Sequence, residues 1–159
     1  MSVVIPLELP ETLRPFVGNW SGVGRGEYPT IESFDYLEEI SFTTVPGKPF
    51  LVYTQRTKAS DDLRPLHAES GYWRSPGPGR FEVVLSHPFG AVEMLEGEAA
   101  DGAITLNSSL VATTSTAKSV TATQRVLSLD GDVLTYRVAM AAVGLPMTHH
   151  LDATLHRVQ

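Results

Sequence analysis

The stretch GNWSGVGRGEYP, residues 18–29, places four glycines among a tryptophan, a tyrosine and a proline. Its glycine spacing matches neither the dinucleotide-binding fingerprint nor a P-loop, which also needs a Lys-Ser/Thr pair. Glycines and aromatic residues occupy every second position, which is the repeat of side chains on one face of a β-strand. These positions are Gly18, Trp20, Gly22, Gly24, Gly26 and Tyr28. Glycines inside a strand indicate strong bending or close approach by another backbone or a ligand. The stretch therefore predicts one strand of a small, tightly curved barrel.

The rest of the chain is dominated by strand-like patterns. The further predicted strands are residues 33–44, 50–57, 66–74, 80–86, 91–99, 103–113, 119–129, 133–141 and 147–158. Turn sequences rich in glycine, proline and aspartate separate many of them. About ten short strands with almost no helix predict an all-β fold, either an antiparallel up-and-down barrel or a sandwich.

The N-terminal part lacks this alternation. Residues 1–12 are predicted to form an irregular segment, and ETLRPF, residues 11–16, one helical turn with Thr12 as its cap and Pro15 limiting its length. The 159 residues, 42% of them hydrophobic, suit one compact domain covering residues 1–159.

Composition excludes several classes of function. The formal net charge of −6 argues against nucleic acid or an anionic membrane as the main partner. The absence of cysteine excludes disulfides, thiolate metal sites, a cysteine nucleophile and covalent haem attachment. The N-terminus has no basic region before an apolar run, so it does not resemble a signal peptide. We expect a soluble cytoplasmic protein.

Histidines are the remaining candidates for metal binding. The chain has five, at positions 67, 87, 149, 150 and 156, without the H-E-x-x-H pattern of a zinc protease. One histidine suffices to hold haem, since the porphyrin supplies four nitrogens, although a single strand histidine is more often a surface residue. Hydrolase chemistry is disfavoured because G-x-S-x-G is missing. The paired carboxylates, Glu38–Glu39 among them, are interpreted as solvent-facing, and Glu38 interrupts the alternation of residues 33–44.

The opening stretch resembles the G-x-W-x-G-x-G-x-G-x-Y-P signature of the nitrobindin family at every fixed position. The resemblance continues through TIESFDYLEEI (30–40), HAESGYWR (67–74), VEMLEGE (92–98) and MTHHLDATLHRV (147–158). It implies a small antiparallel β-barrel, shaped like the fatty-acid-binding proteins, that binds one haem b without a covalent link.

The resemblance also implies roles for individual residues. His150 matches the family's axial haem ligand and would be the metal-binding and catalytic residue. His67 matches a histidine of the distal cavity, and His87 and Met140 fall on positions that line the cavity. Thr30 and Lys118 are expected at the haem edge or its propionates. The signature residues Gly18, Trp20, Gly22 and Gly24 are expected to be part of the folding framework rather than ligand contacts.

Strand alternation alone conflicts with the resemblance at one position. Strict alternation groups His150 with Asp152, opposite Leu151, so an apolar interior would point His149 inward instead. Either the strand bulges near Thr148, or the cavity face is the mixed polar one. The resemblance favours His150.

The family implies binding of nitric oxide and conversion of peroxynitrite to nitrate at a ferric haem. An alternative from a different functional class is a haem-free protein that carries a small apolar ligand in the barrel cavity. A third hypothesis is a sensor of nitric oxide or haem. Small molecules are the expected partners, with no nucleic acid and no membrane. A homodimer is left open.

Overall fold

All ten predicted strands are present in the computed structural model, which describes residues 4–159. The strands are β1 (Gly18–Tyr28), β2 (Ile31–Thr44), β3 (Phe50–Ala59), β4 (Pro65–Arg74), β5 (Arg80–His87), β6 (Ala91–Ala100), β7 (Ala103–Thr113), β8 (Val120–Asp130), β9 (Val133–Ala142) and β10 (Thr148–Arg157). Each strand pairs antiparallel with the next, and β1 pairs with β10, so the sheet closes into a barrel. The all-β barrel is therefore confirmed over the sandwich. Within residues 4–159, no helix is long and apolar enough to cross a membrane.

The segment before β1 contains one short 3₁₀ turn, Arg14–Phe16, where the sequence predicts a helical turn. The predicted cap is wrong: Leu13 occupies the N-cap position, and its side chain makes no cap hydrogen bond. Thr12 Oγ1 instead accepts a hydrogen bond from the backbone N–H of Gly79 at 2.9 Å. Because the turn begins at Arg14, Thr12 lies outside it and ties the segment to the β4–β5 turn. Of the predicted irregular residues 1–12, the first three lie outside the described part of the chain.

The glycines of β1 permit close approach by both neighbouring strands. A Cβ at Gly22 would lie 2.0 Å from the carbonyl oxygen of Thr154 on β10. A Cβ at Gly24 would lie 2.3 Å from the ring of Tyr36 on β2. Gly18 begins the strand with a φ of +133°, which side chains disfavour. The period-two glycines thus reflect crowding at the point where the barrel closes.

The end of the barrel beside the 3₁₀ turn is filled by an aromatic core. Trp20 is 1% exposed and Phe16 2% exposed, and both are packed in one apolar cluster. The ring centroids of Phe16 and Trp73 lie 5.3 Å apart, and those of Phe42 and Trp73 lie 5.2 Å apart. The Arg157 guanidinium stacks 4.2 Å from the centre of the Trp20 ring. This end is therefore closed by packing, and we call the opposite end of the barrel the upper end.

The barrel wall separates between β4 and β5 toward the upper end. Their pairing runs only from Arg74 with Glu82 to Ser70 with Ser86. Beyond that last pair, a cleft of about 390 Å³ is lined by residues of β3, β4 and β5 and reaches His87. The wall thus leaves a side opening next to a predicted site residue.

Candidate functional site

Strand β10 loses its regular register at His150. His149 is paired with Ala139 of β9, whereas Leu151 is paired with the adjacent Val138, so the pairing has an irregularity between His149 and Leu151. Such an extra residue in one strand is the mark of a β-bulge, which redirects side chains and often occurs near functional sites. The strand therefore departs from strict alternation two residues after Thr148.

The bulge separates the surroundings of the two adjacent histidines. His149 Nε2 lies 3.2 Å from the exposed carboxylate of Asp152, on the outer surface. Below the bulge, the inner face of β10 carries Ala153 and Leu155, which are both buried. Strand β10 thus turns its apolar face inward, and the alternative in which its mixed polar face lines the cavity is wrong.

His150 lies at the upper end with one ring nitrogen already bonded. Its Nδ1 is 3.0 Å from the backbone carbonyl oxygen of Glu27, so Nδ1 carries the proton and donates it. Its ring meets the Tyr28 ring edge-to-face, with centroids 5.5 Å apart. Burial lowers the pKa of His150 despite the Glu27 bond, and the nearby charges of Lys118, His149 and His67 lower it further. His150 is therefore a neutral imidazole whose Nε2 lone pair is available.

Tyr28 organises the apolar surroundings of His150. Its hydroxyl donates to the Met140 carbonyl at 3.0 Å and accepts from the Ala142 N–H at 3.2 Å. Tyr28, Met140 and Ala142 form a small buried cluster at the upper end. Lys118 Nζ lies 5.8 Å from the centre of the Tyr28 ring. A nitrogen donor, an apolar wall and a cation thus lie close together.

His67 and His87 form a second group beside the side opening. Their rings stack with centroids 5.3 Å apart, and His67 Nε2 lies 3.3 Å from His87 Nδ1. His87 Nε2 is 2.7 Å from Glu93 Oε1, which fixes the orientation of that ring. His67 is about one-third exposed at 34%, whereas the His87 side chain is only 8% exposed.

A nearly buried arginine joins this group to two carboxylates. Arg125 contacts Glu69 through two hydrogen bonds of 2.7 and 3.1 Å, and it contacts Glu93 at 2.5 Å. Burial opposes ionisation of Glu93, but Arg125 together with His87 and Thr123 lowers its pKa to about 2. Burial also opposes ionisation of Glu69, but Arg125 and the two histidines hold its pKa well below the ordinary value. Both glutamates are therefore ionised at neutral pH.

Glu38 is a buried carboxyl group, so its interpretation as a solvent-facing residue is wrong. It is 2% exposed and accepts hydrogen bonds from Tyr136 at 2.6 Å and Gln55 at 2.8 Å. It occupies the inward position between Tyr36 and Ile40, so it continues the alternation of β2 instead of interrupting it. Burial raises its pKa to about 7, against the opposing effect of its two hydrogen bonds.

The raised pKa predicts that Glu38 makes stability depend on pH. Between its ordinary pKa of 4.5 and the folded value of about 7, the folded chain keeps a proton that the unfolded chain has lost. Unfolding therefore becomes easier as pH rises through this window, by up to about 3 kcal/mol. We expect Glu38→Gln to remove this loss, so urea unfolding should show the variant gaining stability relative to wild type from pH 5 to pH 8.

Glu39→Gln is the matched control, because Glu39 is the exposed neighbour and pairs with Arg56 only at 3.4 Å. Its stability relative to wild type should not change with pH. If the stability of Glu38→Gln relative to wild type were also independent of pH, this would contradict a proton held by Glu38.

Among the sequence-predicted residues, the structure brings His150, Met140 and Lys118 together around Tyr28, and it pairs His67 with His87. Thr30 is exposed in the turn after Tyr28, and no contact among the described residues joins it to either group. Sequence reasoning missed four charged residues: Glu38, Glu69, Glu93 and Arg125. A signal was available for Glu38 and Glu93, each of which lies between buried apolar residues on the inner face of its strand. It was weaker for Glu69 and Arg125, whose inward neighbours include His67 and Thr123.

The fold and the site define a class: a closed antiparallel β-barrel with a neutral histidine donor at one end. The chain belongs to the family of THAP4-like, heme-binding beta-barrel domains, whose sequence profile matches residues 10–157.

Similar proteins agree with this assignment. The chain is 52% identical to a protein of Nocardia farcinica named peroxynitrite isomerase, over 91% of this chain and 88% of that protein. It is 52% identical to a Mycobacterium ulcerans protein named peroxynitrite isomerase 2, over 92% of this chain and 93% of the relative. The crystal structure of Rv2717c from M. tuberculosis superposes with a TM-score of 0.86 at 45% identity, covering 95% of this chain and 99% of that one.

Proposed function

We propose that the chain binds one haem b non-covalently through His150 and isomerises peroxynitrite to nitrate. The observation that carries this proposal is the state of His150. Its Nδ1–H is donated to the Glu27 carbonyl, so its Nε2 lone pair is left for a metal. Metal-binding histidines commonly donate their other ring N–H to a carbonyl or a carboxylate in this way. The family and the names of the relatives support the same function.

The residues around His150 fit haem in chemical character. Tyr28 and Met140 offer apolar contacts for a porphyrin, and the exposed ammonium of Lys118 offers a partner for a propionate. Thr30 is proposed at the edge of the site from its place after Tyr28. The lowered pKa keeps His150 neutral at pH 7, which a metal ligand requires.

Conversion of peroxynitrite to nitrate is a rearrangement that keeps every atom and the single negative charge. It therefore needs no electron donor and no net proton. When bound, ferric haem would supply a Lewis acid for the O–O group. The chain would hold the haem through His150 and place the partly exposed ring of His67 beside the side opening, where its N–H can hydrogen-bond an anion, with His87 stacked against it. Nitric oxide is the second proposed ligand.

The haem-free carrier of an apolar ligand fits the interior less well. The positions above the aromatic core hold Glu38, Glu69, Glu93 and Arg125, which are hydrogen-bonded to one another or to neighbouring polar side chains. Burying an apolar ligand against these groups would leave charges facing hydrocarbon, which is costly. The interior polarity thus favours a ligand with polar chemistry.

Stopped-flow decay of peroxynitrite tests the proposed activity. We expect the decay rate to rise in proportion to the concentration of haem-loaded protein, with nitrate as the product, and to be unaffected by the haem-free chain. His149→Ala, loaded with haem, should behave as the wild type because His149 faces the outer surface. Decay that is no faster with the haem-loaded protein than with the haem-free protein would contradict the proposal.

A cytoplasmic location, a single domain over residues 1–159 and a homodimer stay predictions from the sequence. Partners other than small molecules are not part of the proposal.

A further inference from the structure

We propose that His67, Glu69 and His87 form a binding site for a divalent transition metal ion such as Zn²⁺, separate from the proposed haem ligand His150. One atom of each residue converges on a common point. His67 Nε2 and His87 Nδ1 lie 3.3 Å apart, and Glu69 Oε2 lies 3.7 Å from the first and 3.5 Å from the second. The three atoms form a compact, nearly equilateral triangle.

The size of this triangle suits zinc. Nitrogen and oxygen ligands lie about 2.0–2.2 Å from zinc, so two ligands of a tetrahedron are about 3.3–3.6 Å apart. Two histidines and one carboxylate are a common zinc ligand set, and they leave a fourth position for water. A hydrogen bond between the two imidazoles accounts for one side of the triangle, but it does not bring Glu69 Oε2 equally close to both rings.

Surrounding residues fix the orientation of the three ligands. His87 Nε2 is 2.7 Å from Glu93, which places the proton on Nε2 and leaves the Nδ1 lone pair toward the triangle. Thr123 donates to the other oxygen of Glu93 at 2.5 Å. The Glu69 carboxylate is held by Tyr53, which donates to Oε1 at 2.7 Å, and by Arg125. A metal would thus meet a largely prearranged site.

The charge around the triangle also favours a cation. Arg125 pairs with both Glu69 and Glu93, so a single guanidinium faces two carboxylates. A divalent ion would balance the remaining negative charge. A hydrogen bond between His67 and His87 without a metal is the competing explanation of their closeness.

Solvent can reach the triangle. The cleft of about 390 Å³ between β4 and β5 has Glu69 and His87 in its lining. The third ligand, His67, has a side chain that is 34% exposed. An ion can therefore enter from the side of the barrel without displacing the apolar cluster around Tyr28.

Isothermal titration of the full chain with ZnCl₂, with and without haem, tests the inference. We expect one zinc ion per chain, with release of protons and a raised melting temperature. His87→Ala and His67→Ala should each weaken binding by more than the roughly 10–100-fold typical of losing an outer-shell partner. His67→Gln gives a second variant that keeps a polar side chain at this partly exposed position, and circular dichroism checks that each variant folds.

His149→Ala and His156→Ala are the matched controls, since both histidines lie outside the triangle, and His150→Ala should also keep full zinc binding. Absence of zinc binding would overturn the inference and leave the His67–His87 hydrogen bond as the reason for their closeness. Binding that survives in His87→Ala but is lost in His149→Ala would show a surface site instead. His150 is not a zinc ligand in this proposal. Failure of the haem proposal would therefore appear as absent haem binding, and failure of the zinc proposal as absent zinc binding.

Discussion

Replacing Trp20 with alanine is expected to destabilise the haem-free protein by about 3–5 kcal/mol, the range for removing a large aromatic side chain from a packed core. The ring is 1% exposed. Its Nε1–H donates to the Phe16 carbonyl at 3.0 Å, which fixes the 3₁₀ turn against the barrel. The ring also supports the Arg157 guanidinium, which in turn donates to the Pro15 carbonyl at 2.7 Å. Truncation therefore leaves a cavity and loosens the closed end of the barrel.

Urea unfolding of matched variants measures this effect. Trp20→Phe keeps most of the apolar volume and loses the hydrogen bond, which is worth about 0.5–1.5 kcal/mol, so its cost should be clearly smaller than that of the alanine variant. Val23→Ala, on the outward face of the same strand at 60% exposure, should change stability by less than about 0.5 kcal/mol. A Trp20→Ala protein as stable as the Val23→Ala protein would contradict the role assigned to the ring.

Much of the fold could be predicted because strand alternation and turn chemistry are local properties. The glycines of β1 indicated close approach by another backbone, and Gly22 against Thr154 shows that contact. The cap assigned to Thr12 failed because its hydroxyl bonds to Gly79, which is 67 residues away in the chain. Local patterns predict strands well, but they do not reveal such distant partners.

The charged interior was missed for the same reason. Glu69 is neutralised by Arg125, 56 residues later, and no local pattern connects the two. When its distant partner is not known, a carboxylate at an inward position looks like an interruption of the strand alternation, and Glu38 was interpreted in that way. A charge at an inward position of a strand therefore predicts a buried partner and not only a defect in the pattern.

Alternation alone could not assign the two adjacent histidines. The deciding feature is the pairing of His149 and Leu151 with neighbouring residues of β9, which is a property of the folded sheet. The family resemblance pointed to His150 because it compared whole motifs, which carry the bulge with them. The role of His150 as the haem ligand stays a proposal.

His150→Ala is expected to abolish haem binding or weaken it by more than about 100-fold, since loss of an outer-shell partner alone costs about 10–100-fold. His150 makes one backbone hydrogen bond, so its loss should change the stability of the haem-free chain by only about 1 kcal/mol. The large effect on haem and the small effect on the fold distinguish a ligand from a packing residue.

Haem titration of the wild type, His150→Ala and His149→Ala, followed by the Soret band, tests this account most directly. We expect tight one-to-one binding by the wild type and by His149→Ala, and loss of binding by His150→Ala. His149 is the fitting comparison, because it is the adjacent residue and its side chain faces Asp152 on the outer surface. Unchanged haem binding by His150→Ala, with or without loss in His149→Ala, would contradict it.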